Sequence, residues 1–296
     1  MKYSFWPAAS GTWTSLLDLC RHAEATGWDG LWFADHFMPN TPEMSGPTSE
    51  AWTTIAALAA SVPRVRIGTL VSGNTYRHPA VLAKMAANVD QISGGRLILG
   101  LGAGWQENEH HAYGLPFYTL GGRMRRLDEA CQVITGLLNH DRTTLKGRYY
   151  QLENAPLEPK PVQDRLPLLI GGGGEKVTMR IAAQYADEWN VWGSPATLRH
   201  KMAILDQHCR NQGRDPQAIK RSCQALLLIT DDAQAAERAR AAGRPMIAGT
   251  LDEVRATVQE YADAGVDELI IPGFNLGPPD QAKATLDQFI TRVAGR

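Results

Sequence analysis

Titratable side chains follow two apolar runs of the chain, at positions where acid–base chemistry is possible. Asp35 and His36 close the first of these runs and join a carboxylate to an imidazole that titrates near neutral pH. Glu107 and Glu109 come shortly after the second run, Leu97–Gly102. We therefore name Asp35, His36, Glu107 and Glu109 as candidate catalytic residues, although a capping Asp and a structural His would give the same pair.

A run of glycines marks a candidate phosphate site. Gly171, Gly172, Gly173 and Gly174 follow an apolar run and precede a helical pattern, and Lys176 stands two residues further on. Glycine lets backbone N–H groups approach an anion, and a helix N-terminus adds free donors and a favourable dipole. Lys176 adds a positive charge. The run matches neither the P-loop nor GxGxxG, and a flexible strand–helix turn is the alternative interpretation.

Other chemistries find no support in the sequence. No HxH, HExxH or CxxC spacing occurs, so we predict no metal site, and no GxSxG elbow points to a nucleophilic serine. The 30 basic and 31 acidic side chains leave a net charge of −1, which argues against nucleic-acid partners. No apolar run approaches the roughly 20 residues of a membrane span. Four scattered cysteines and the lack of a signal-peptide stretch lead us to expect a cytoplasmic protein.

Short apolar runs alternate with helical patterns along the whole chain. Most of the runs are continuously apolar, as parallel strands buried on both faces are. A capping box at Thr250–Glu253 begins one of the helices between them. The eight predicted strands are Tyr3–Trp6, Gly30–Ala34, Val65–Val71, Leu97–Gly102, Leu168–Ile170, Glu188–Val191, Gln224–Ile229 and Glu268–Ile271.

Eight strand–helix cycles predict an α/β fold, a (β/α)8 TIM barrel, as a single domain over residues 1–296. A doubly wound open sheet also alternates, so periodicity alone does not choose between the two. Two stretches interrupt the cycle and are predicted to be insertions. Glu107–Gly122 follows the fourth strand, and Thr143–Arg165 precedes the fifth.

In a barrel, the carboxyl ends of the strands build the active site. Ser72, Gly73 and Asn74 follow the third predicted strand and would contact a ligand there. Aromatic residues stand at several other strand ends and would shape an apolar substrate pocket, although a Trp in a barrel is usually part of the core. These candidate pocket residues are Trp6, Trp105, Trp192 and Phe274.

The chain resembles the luciferase-like oxidoreductases, and within them the branch that uses coenzyme F420, a deazaflavin. The resemblance covers essentially the whole chain, and the stretches that carry it are specific in their order and spacing. They are Trp32–His36, Gly68–Pro79, Asp90–Leu97, Gly100–Trp105 and Pro167–Gly174. The family fold is a (β/α)8 barrel with insertions, in agreement with the independent strand count.

The resemblance also assigns roles to residues. It implies that Gly172, Gly173 and Gly174 hold the cofactor phosphate, and that Asp35 and His36 lie near the cofactor's head, where this His assists proton handling in some relatives. It implies a non-proline cis peptide behind the ring system, which we expect at Gly73–Asn74. Some relatives carry a catalytic Glu where this chain has Trp105, which speaks against a sugar-phosphate dehydrogenase mechanism unless Glu107 or Glu109 substitutes. A homodimer is implied by the resemblance alone.

The sequence therefore predicts an enzyme that transfers a hydride between coenzyme F420 and a small organic substrate. We expect the cofactor to contact the residues named so far at strand ends and in the glycine run: Asp35, Ser72, Gly73, Asn74, Gly171, Gly172, Gly173, Gly174 and Lys176. An FMN-dependent monooxygenase is the alternative, because FMN also places a phosphate on the glycines. A non-catalytic flavin- or deazaflavin-binding protein is the alternative from another class.

Overall fold

Thirteen strands form in the computed structural model, which describes residues 1–296. Each of the eight apolar runs singled out in the sequence overlaps at least one of them. The strands are β1 (Lys2–Trp6), β2 (Gly30–Phe33), β3 (Arg66–Thr69), β4 (Ser72–Gly73), β5 (Leu97–Gly102), β6 (Thr143–Lys146), β7 (Gln151–Ala155), β8 (Leu168–Gly171), β9 (Glu188–Trp192), β10 (Lys220–Gln224), β11 (Leu226–Ile229), β12 (Met246–Gly249) and β13 (Glu268–Pro272).

Ten α-helices separate most of the strands, with a 3₁₀ turn at Pro216–Ala218 and a π-helical turn at Phe289–Val293. The predicted capping box is confirmed, because Thr250 and Glu253 exchange side chain–backbone hydrogen bonds. The helices are α1 (Trp13–Ala25), α2 (Ala51–Ser61), α3 (Pro79–Ser93), α4 (Glu107–Tyr113), α5 (Leu120–Asn139), α6 (Thr178–Tyr185), α7 (Pro195–Asn211), α8 (Ala233–Arg240), α9 (Leu251–Asp263) and α10 (Pro279–Gln288). None of them is long and apolar enough to cross a membrane.

The chain divides into two compact units, of which the first comprises Met1–Trp32, Gly172–Gln184 and Glu188–Arg296. Within it, β2, β1, β13, β10 and β9 lie side by side as parallel strands. The strands carry buried polar groups as well as apolar ones: the indole nitrogen of Trp32 donates to Glu268 at 2.9 Å, and Asn190 donates to Ser222 at 2.9 Å. These hydrogen bonds satisfy groups that would otherwise be costly to bury.

The second unit comprises Phe33–Gly171 and Tyr185–Asp187. Strand β5 is its centre: β8 pairs with it on one side, and β3 and β4 pair with it on the other, all in parallel. Helix α3 packs against α2 on one side and against α5 on the other. The antiparallel hairpin β6–β7 lies within the stretch Thr143–Arg165, where the sequence predicts an insertion.

The third predicted strand, Val65–Val71, is interrupted in the structure by a bulge. Gly68 pairs with Ile98, but Ser72 pairs with Leu101, so the register shifts by one residue between β3 and β4. The side chain of Val71 fills the space that the glycines of the neighbouring strands leave open. A Cβ at Gly102 would lie 2.7 Å from a Val71 methyl carbon.

The cis peptide does not lie where it was expected. Gly73–Asn74 is trans, and the non-proline cis bond joins Leu70 and Val71 instead. The prediction was wrong because it placed the chain irregularity after the whole third strand. The register shows that the irregularity divides the strand, and that the residues after it pair again with β5.

The seventh predicted strand, Gln224–Ile229, overlaps two separate strands of the structure. The strand that pairs with β9 and β13 is β10, Lys220–Gln224, while Leu226–Ile229 forms a separate parallel pair with Met246–Gly249. The apolar residues that led to the prediction form β11. Strand β10 escaped prediction because its buried residues include polar ones.

Candidate active site

His36 is held by a buried carboxylate on helix α4. Its ring nitrogen Nδ1 lies 2.8 Å from Oε1 of Glu109, whose side chain is 0% exposed. The other carboxylate oxygen accepts from the backbone N–H of Phe37 at 2.7 Å, and the hydroxyl of Tyr76 also donates to Glu109. One carboxylate thus receives three donors and fixes the segment that follows β2.

The donors determine the protonation of this cluster. Burial alone would raise the pKa of Glu109, but the hydrogen bonds from His36, Phe37 and Tyr76 lower it below its ordinary value, so the carboxylate is ionised near neutral pH. Burial, with the hydrogen bond to Glu109, raises the pKa of Tyr76, which therefore remains a donor. Because a carboxylate only accepts, Nδ1 of His36 carries a hydrogen, and Nε2 remains available to accept or donate a proton.

Asp35 makes a different set of contacts from its neighbour His36. Its side chain is fully buried, and its two oxygens accept from the guanidinium of Arg77 at 2.5 and 3.0 Å. Arg77 also donates to Glu50 at 2.7 Å, and Glu50 caps the N-terminus of α2. Burial raises the pKa of Asp35, and the contact with Arg77 opposes this rise. Asp35, Arg77 and Glu50 thus connect the segments that follow β2 and β4 to the N-terminus of α2.

A second histidine, His110, packs against Tyr76. The ring of His110 stacks on that of Tyr76 with centroids 4.9 Å apart. Nδ1 of His110 lies 2.7 Å from the carbonyl oxygen of Gln106, and Nε2 lies 2.7 Å from the hydroxyl of Thr75. Since the carbonyl only accepts, Nδ1 carries the hydrogen and Thr75 donates to Nε2. Both nitrogens of His110 are therefore engaged, unlike those of His36.

Ser72, Gly73 and Asn74 lie at the end of the third strand, as predicted, but each has a protein neighbour. The hydroxyl of Ser72 accepts from the indole of Trp52 at 2.9 Å. A side chain at Gly73 would overlap the ring of Tyr76. The amide nitrogen of Asn74 donates to the hydroxyl of Tyr150 at 3.2 Å, while its Oδ1 is buried without a donor. That buried oxygen is therefore available to accept a hydrogen bond from a ligand.

The glycine turn, Gly172–Gly174 of the first unit, precedes helix α6. Gly172 has a φ of +129°, which favours glycine, and its backbone bonds to Asn190 and to the indole of Trp189. The backbone N–H groups of Gly173 and Gly174 have no acceptor in the protein. Free amides in a turn before a helix are suited to an anion such as a phosphate.

A lysine contacts the glycine turn, but it is not the predicted one. Lys176 is exposed and bonds to no protein group. Lys201, on α7, donates to the carbonyl oxygen of Gly173 at 2.9 Å and to Glu175 at 2.6 Å. Lys201 lies 28 residues beyond Gly173, and no local pattern in the sequence points to the pairing.

Three of the four predicted pocket aromatics lie together in the first unit. The ring of Trp6 contacts Phe274 with centroids 4.8 Å apart and Trp192 with centroids 6.1 Å apart. Trp105 belongs to the second unit, where its ring and that of His36 are nearly perpendicular with centroids 5.4 Å apart. Trp105 is 60% exposed, so a large apolar surface stands in solvent beside the candidate catalytic histidine.

Comparison with known proteins places the chain in a family. Residues 3–265 match the family described as luciferase-like monooxygenase. The chain belongs to the luciferase-like monooxygenase family. It is 30% identical over 315 residues to an F420-dependent glucose-6-phosphate dehydrogenase of Kineococcus radiotolerans, covering 94% of this chain and 91% of that protein. It is 32% identical over 231 residues to the pyrimidine monooxygenase RutA of Stutzerimonas stutzeri, covering 75% and 61%.

The fold of this luciferase-like protein is that of a solved F420-dependent secondary alcohol dehydrogenase in complex with an F420–acetone adduct. The two structures agree with a TM-score of 0.86 over 99% of each chain, at 22% sequence identity. The likeness shows the fold, a (β/α)8 barrel, and confirms that part of the prediction.

One predicted catalytic residue, Glu107, lies apart from the hydrogen bonds around His36, and several residues of the site were not predicted. Glu107 is on the same helix as Glu109, but its side chain is 60% exposed and lies 3.5 Å from His111. The missed residues are Glu50, Trp52, Thr75, Tyr76, Arg77, His110 and Lys201. Thr75, Tyr76 and Arg77 belong to Gly68–Pro79, a stretch that carries the family resemblance, so the resemblance could have identified them as site residues.

Proposed function

We propose that this protein is an oxidoreductase that transfers a hydride between coenzyme F420 and a small organic substrate. The observation that carries the proposal is His36, whose Nδ1 is anchored on a buried carboxylate and whose Nε2 is free beside the exposed Trp105. Relatives that carry F420 in their names cover nearly the whole chain, in sequence and in fold. They support F420 as the cofactor.

The residues present suit a deazaflavin. The free amides of Gly173 and Gly174 would hold its phosphate, with Gly171, Gly172 and Lys176 beside them. Oδ1 of Asn74 is a buried acceptor without a donor, and the N–H groups of a flavin-like ring are donors. The bound deazaflavin supplies the hydride chemistry, and the protein supplies orientation and a proton.

We assign the proton to Nε2 of His36. Glu109 positions this ring and keeps its Nδ1 protonated, so only Nε2 faces the reaction. Asp35 does not take part in proton transfer in this scheme, because Arg77 occupies both of its oxygens. Glu107 is exposed and serves no catalytic role in this scheme.

We infer an apolar substrate. Trp105 presents its ring beside His36, and Trp6, Trp192 and Phe274 form an aromatic group of their own. Such surfaces contact flat or aliphatic molecules and exclude water from the site. A sugar phosphate is disfavoured, because Trp105 stands where the resemblance implies an acid.

The test is a substrate screen under anaerobic conditions. Reduced F420 is mixed with ketones, enones, imines and nitro compounds, and oxidised F420 with alcohols, while the absorbance of the deazaflavin is followed. We expect turnover with at least one apolar substrate, and we expect His36→Ala to lower turnover about 100-fold with little change in F420 affinity. The control is His111→Ala, an exposed histidine on the same helix as Glu109. Unchanged rates in His36→Ala would refute the role of His36.

The match to RutA favours a second candidate, an FMN-dependent monooxygenase. The free amides of the glycine turn suit the phosphate of FMN equally well, so cofactor titration has to distinguish the two. A non-catalytic carrier, the third possibility, predicts F420 binding with no absorbance change in any arm of the screen.

We also propose that residues 1–296 act as one barrel domain, which the 99% coverage by a solved barrel supports. A cytoplasmic location is proposed because all four cysteines are unpaired and buried. A homodimer is proposed from the resemblance, and its mass in solution is the test.

A further inference from the structure

Four arginines gather where helix α5 begins and where the β6–β7 hairpin turns. Arg123, Arg125 and Arg126 lie in the first two turns of α5, and Arg148 lies on the hairpin turn. We call these four the arginine cluster. All four belong to the second unit of the fold.

The cluster has no acidic partner. None of its four members is in an ion pair, whereas Arg77 and Arg165 elsewhere in the same unit are paired with aspartates. The nearby carboxylate of Glu129 is already used, because it accepts from three consecutive backbone N–H groups of the hairpin turn at 2.8–3.1 Å. The four positive charges form no ion pair and outnumber the nearby carboxylate of Glu129, so an anion that joins them would be stabilised.

Aromatic rings hold the guanidinium groups in place. Arg126 lies 3.7 Å from the ring centre of Tyr118 and 4.5 Å from that of Tyr149, and Arg123 lies 4.0 Å from that of Phe117. The Nε atoms of Arg123 and Arg126 are buried and have no acceptor. Stacked guanidinium groups with free N–H donors form a rigid receptor for planar carboxylates and for phosphates.

The field of the cluster already acts on a neighbouring side chain. A hydrogen bond from Arg125, at 3.0 Å, together with the charges of Arg125, Arg148 and Arg126, lowers the pKa of the Tyr149 phenol. The position thus favours a negative charge. The first turn of α5 contains no acidic residue to balance the positive end of the helix dipole, so an anion there would be stabilised by the helix too.

The cluster is connected to the strand end that carries Asn74. Arg126 hydrogen-bonds to the hydroxyl of Tyr150, and that hydroxyl accepts from the side chain of Asn74 at 3.2 Å. A ligand at Asn74 would therefore lie one side chain away from the cluster.

We propose that the arginine cluster is an anion subsite that binds a carboxylate or phosphate group of the ligands of this enzyme. The inference deepens the proposed function and rests on it for the identity of those ligands. Two sources offer this chemistry, namely the acidic oligoglutamate tail of coenzyme F420 and an acidic group on the substrate.

The variant that tests the subsite is Arg125→Gln with Arg148→Gln, because both side chains are exposed and their loss leaves the packed Arg123 and Arg126 in place. The matched control removes two exposed charges elsewhere, Arg210→Gln with Arg238→Gln. The paired lysine substitutions at 125 and 148 keep the charge and should restore most of the binding.

The first measurement needs no cofactor. Tripolyphosphate and triglutamate are titrated against each protein by calorimetry and thermal shift. We expect both probes to bind and stabilise the wild type and the control, and to bind the double Gln variant about fivefold more weakly or not at all. Failure of both probes to bind the wild type, or equal binding to the double Gln variant, would overturn the proposal.

The second measurement identifies the source by fluorescence titration with F420 and with its riboside, which lacks phosphate and tail. If the cluster holds the tail, the double Gln variant loses affinity for F420 and keeps it for the riboside. If F420 affinity is unchanged while the polyanion probes distinguish the variants, the subsite serves the substrate. A wild type that binds neither deazaflavin would refute the proposed function and leave the anion subsite to be decided by the first measurement.

Discussion

Replacing Glu109 by Gln tests the centre of the site with the smallest change of shape. In the wild type, Oε1 accepts from His36 and Tyr76, and Oε2 accepts from the backbone of Phe37. The amide of Gln has only one acceptor oxygen. Whichever way it turns, its NH₂ group faces at least one buried donor, so a hydrogen bond is lost and two donors oppose each other.

The structure sets the size of the expected effect. An unsatisfied buried donor costs about 1–3 kcal/mol, and the loss of the charge that received the three donors places Glu109→Gln toward the upper end of that range. At about 2–4 °C per kcal/mol for a chain of this order of length, the melting temperature should fall by roughly 4–12 °C. His36 also loses the partner that fixes its tautomer, so turnover should fall about 10- to 100-fold.

The assay combines urea unfolding, thermal melting and turnover on the best substrate of the screen. Glu107→Gln is the control, because it removes the same charge from the same helix at an exposed position. We expect this control to be indistinguishable from the wild type. Wild-type melting and turnover in Glu109→Gln would refute the view that this carboxylate positions His36.

Three further predictions concern other parts of the site. Asp35→Asn should lower the free energy of unfolding in urea by about 3–5 kcal/mol, because it leaves the buried guanidinium of Arg77 without its carboxylate. The exposed Asp18→Asn is the control, and equal stability of the two variants would contradict this prediction. Trp105→Ala should leave the melting temperature unchanged and raise KM for apolar substrates about 2- to 10-fold, the worth of one aromatic contact; an unchanged KM would place the substrate elsewhere. The folded-state pKa of Glu109 is below its ordinary value of 4.5, so the stability that the ionised carboxylate contributes is complete above pH 4.5 and is lost as the pH falls through the lower folded-state value. The loss of stability with falling pH should therefore be less steep in Glu109→Gln than in the wild type. Parallel curves of stability against pH would contradict the assignment.

The parts of the fold that follow from local pattern could be predicted from the sequence. Strand β5 lies where the run Leu97–Gly102 predicts it, and the capping box at Thr250 begins its helix, because both signals are contained in a few neighbouring residues. The bulge between β3 and β4 could not be predicted in the same way. It depends on Val71 filling space left by glycines on two other strands.

In the site too, local features could be predicted and contacts between distant residues could not. His36 and Glu109 could be named from their types and from their positions after apolar runs. Their hydrogen bond joins residues 73 positions apart, and no spacing rule reveals it. Arg77 and Lys201 were missed for this reason, since each acts on a segment distant in the chain. Lys176, the lysine next to the glycines in sequence, bonds to no protein group.

Titration of the purified protein with F420 and with FMN, followed by fluorescence, tests the central claim most directly. We expect F420 to saturate one site per chain and FMN to bind far more weakly. Gly173→Asp, which places a carboxylate among the free amides of the glycine turn, should weaken F420 binding about tenfold or more. Tight binding of FMN without binding of F420 would contradict the account and favour the monooxygenase.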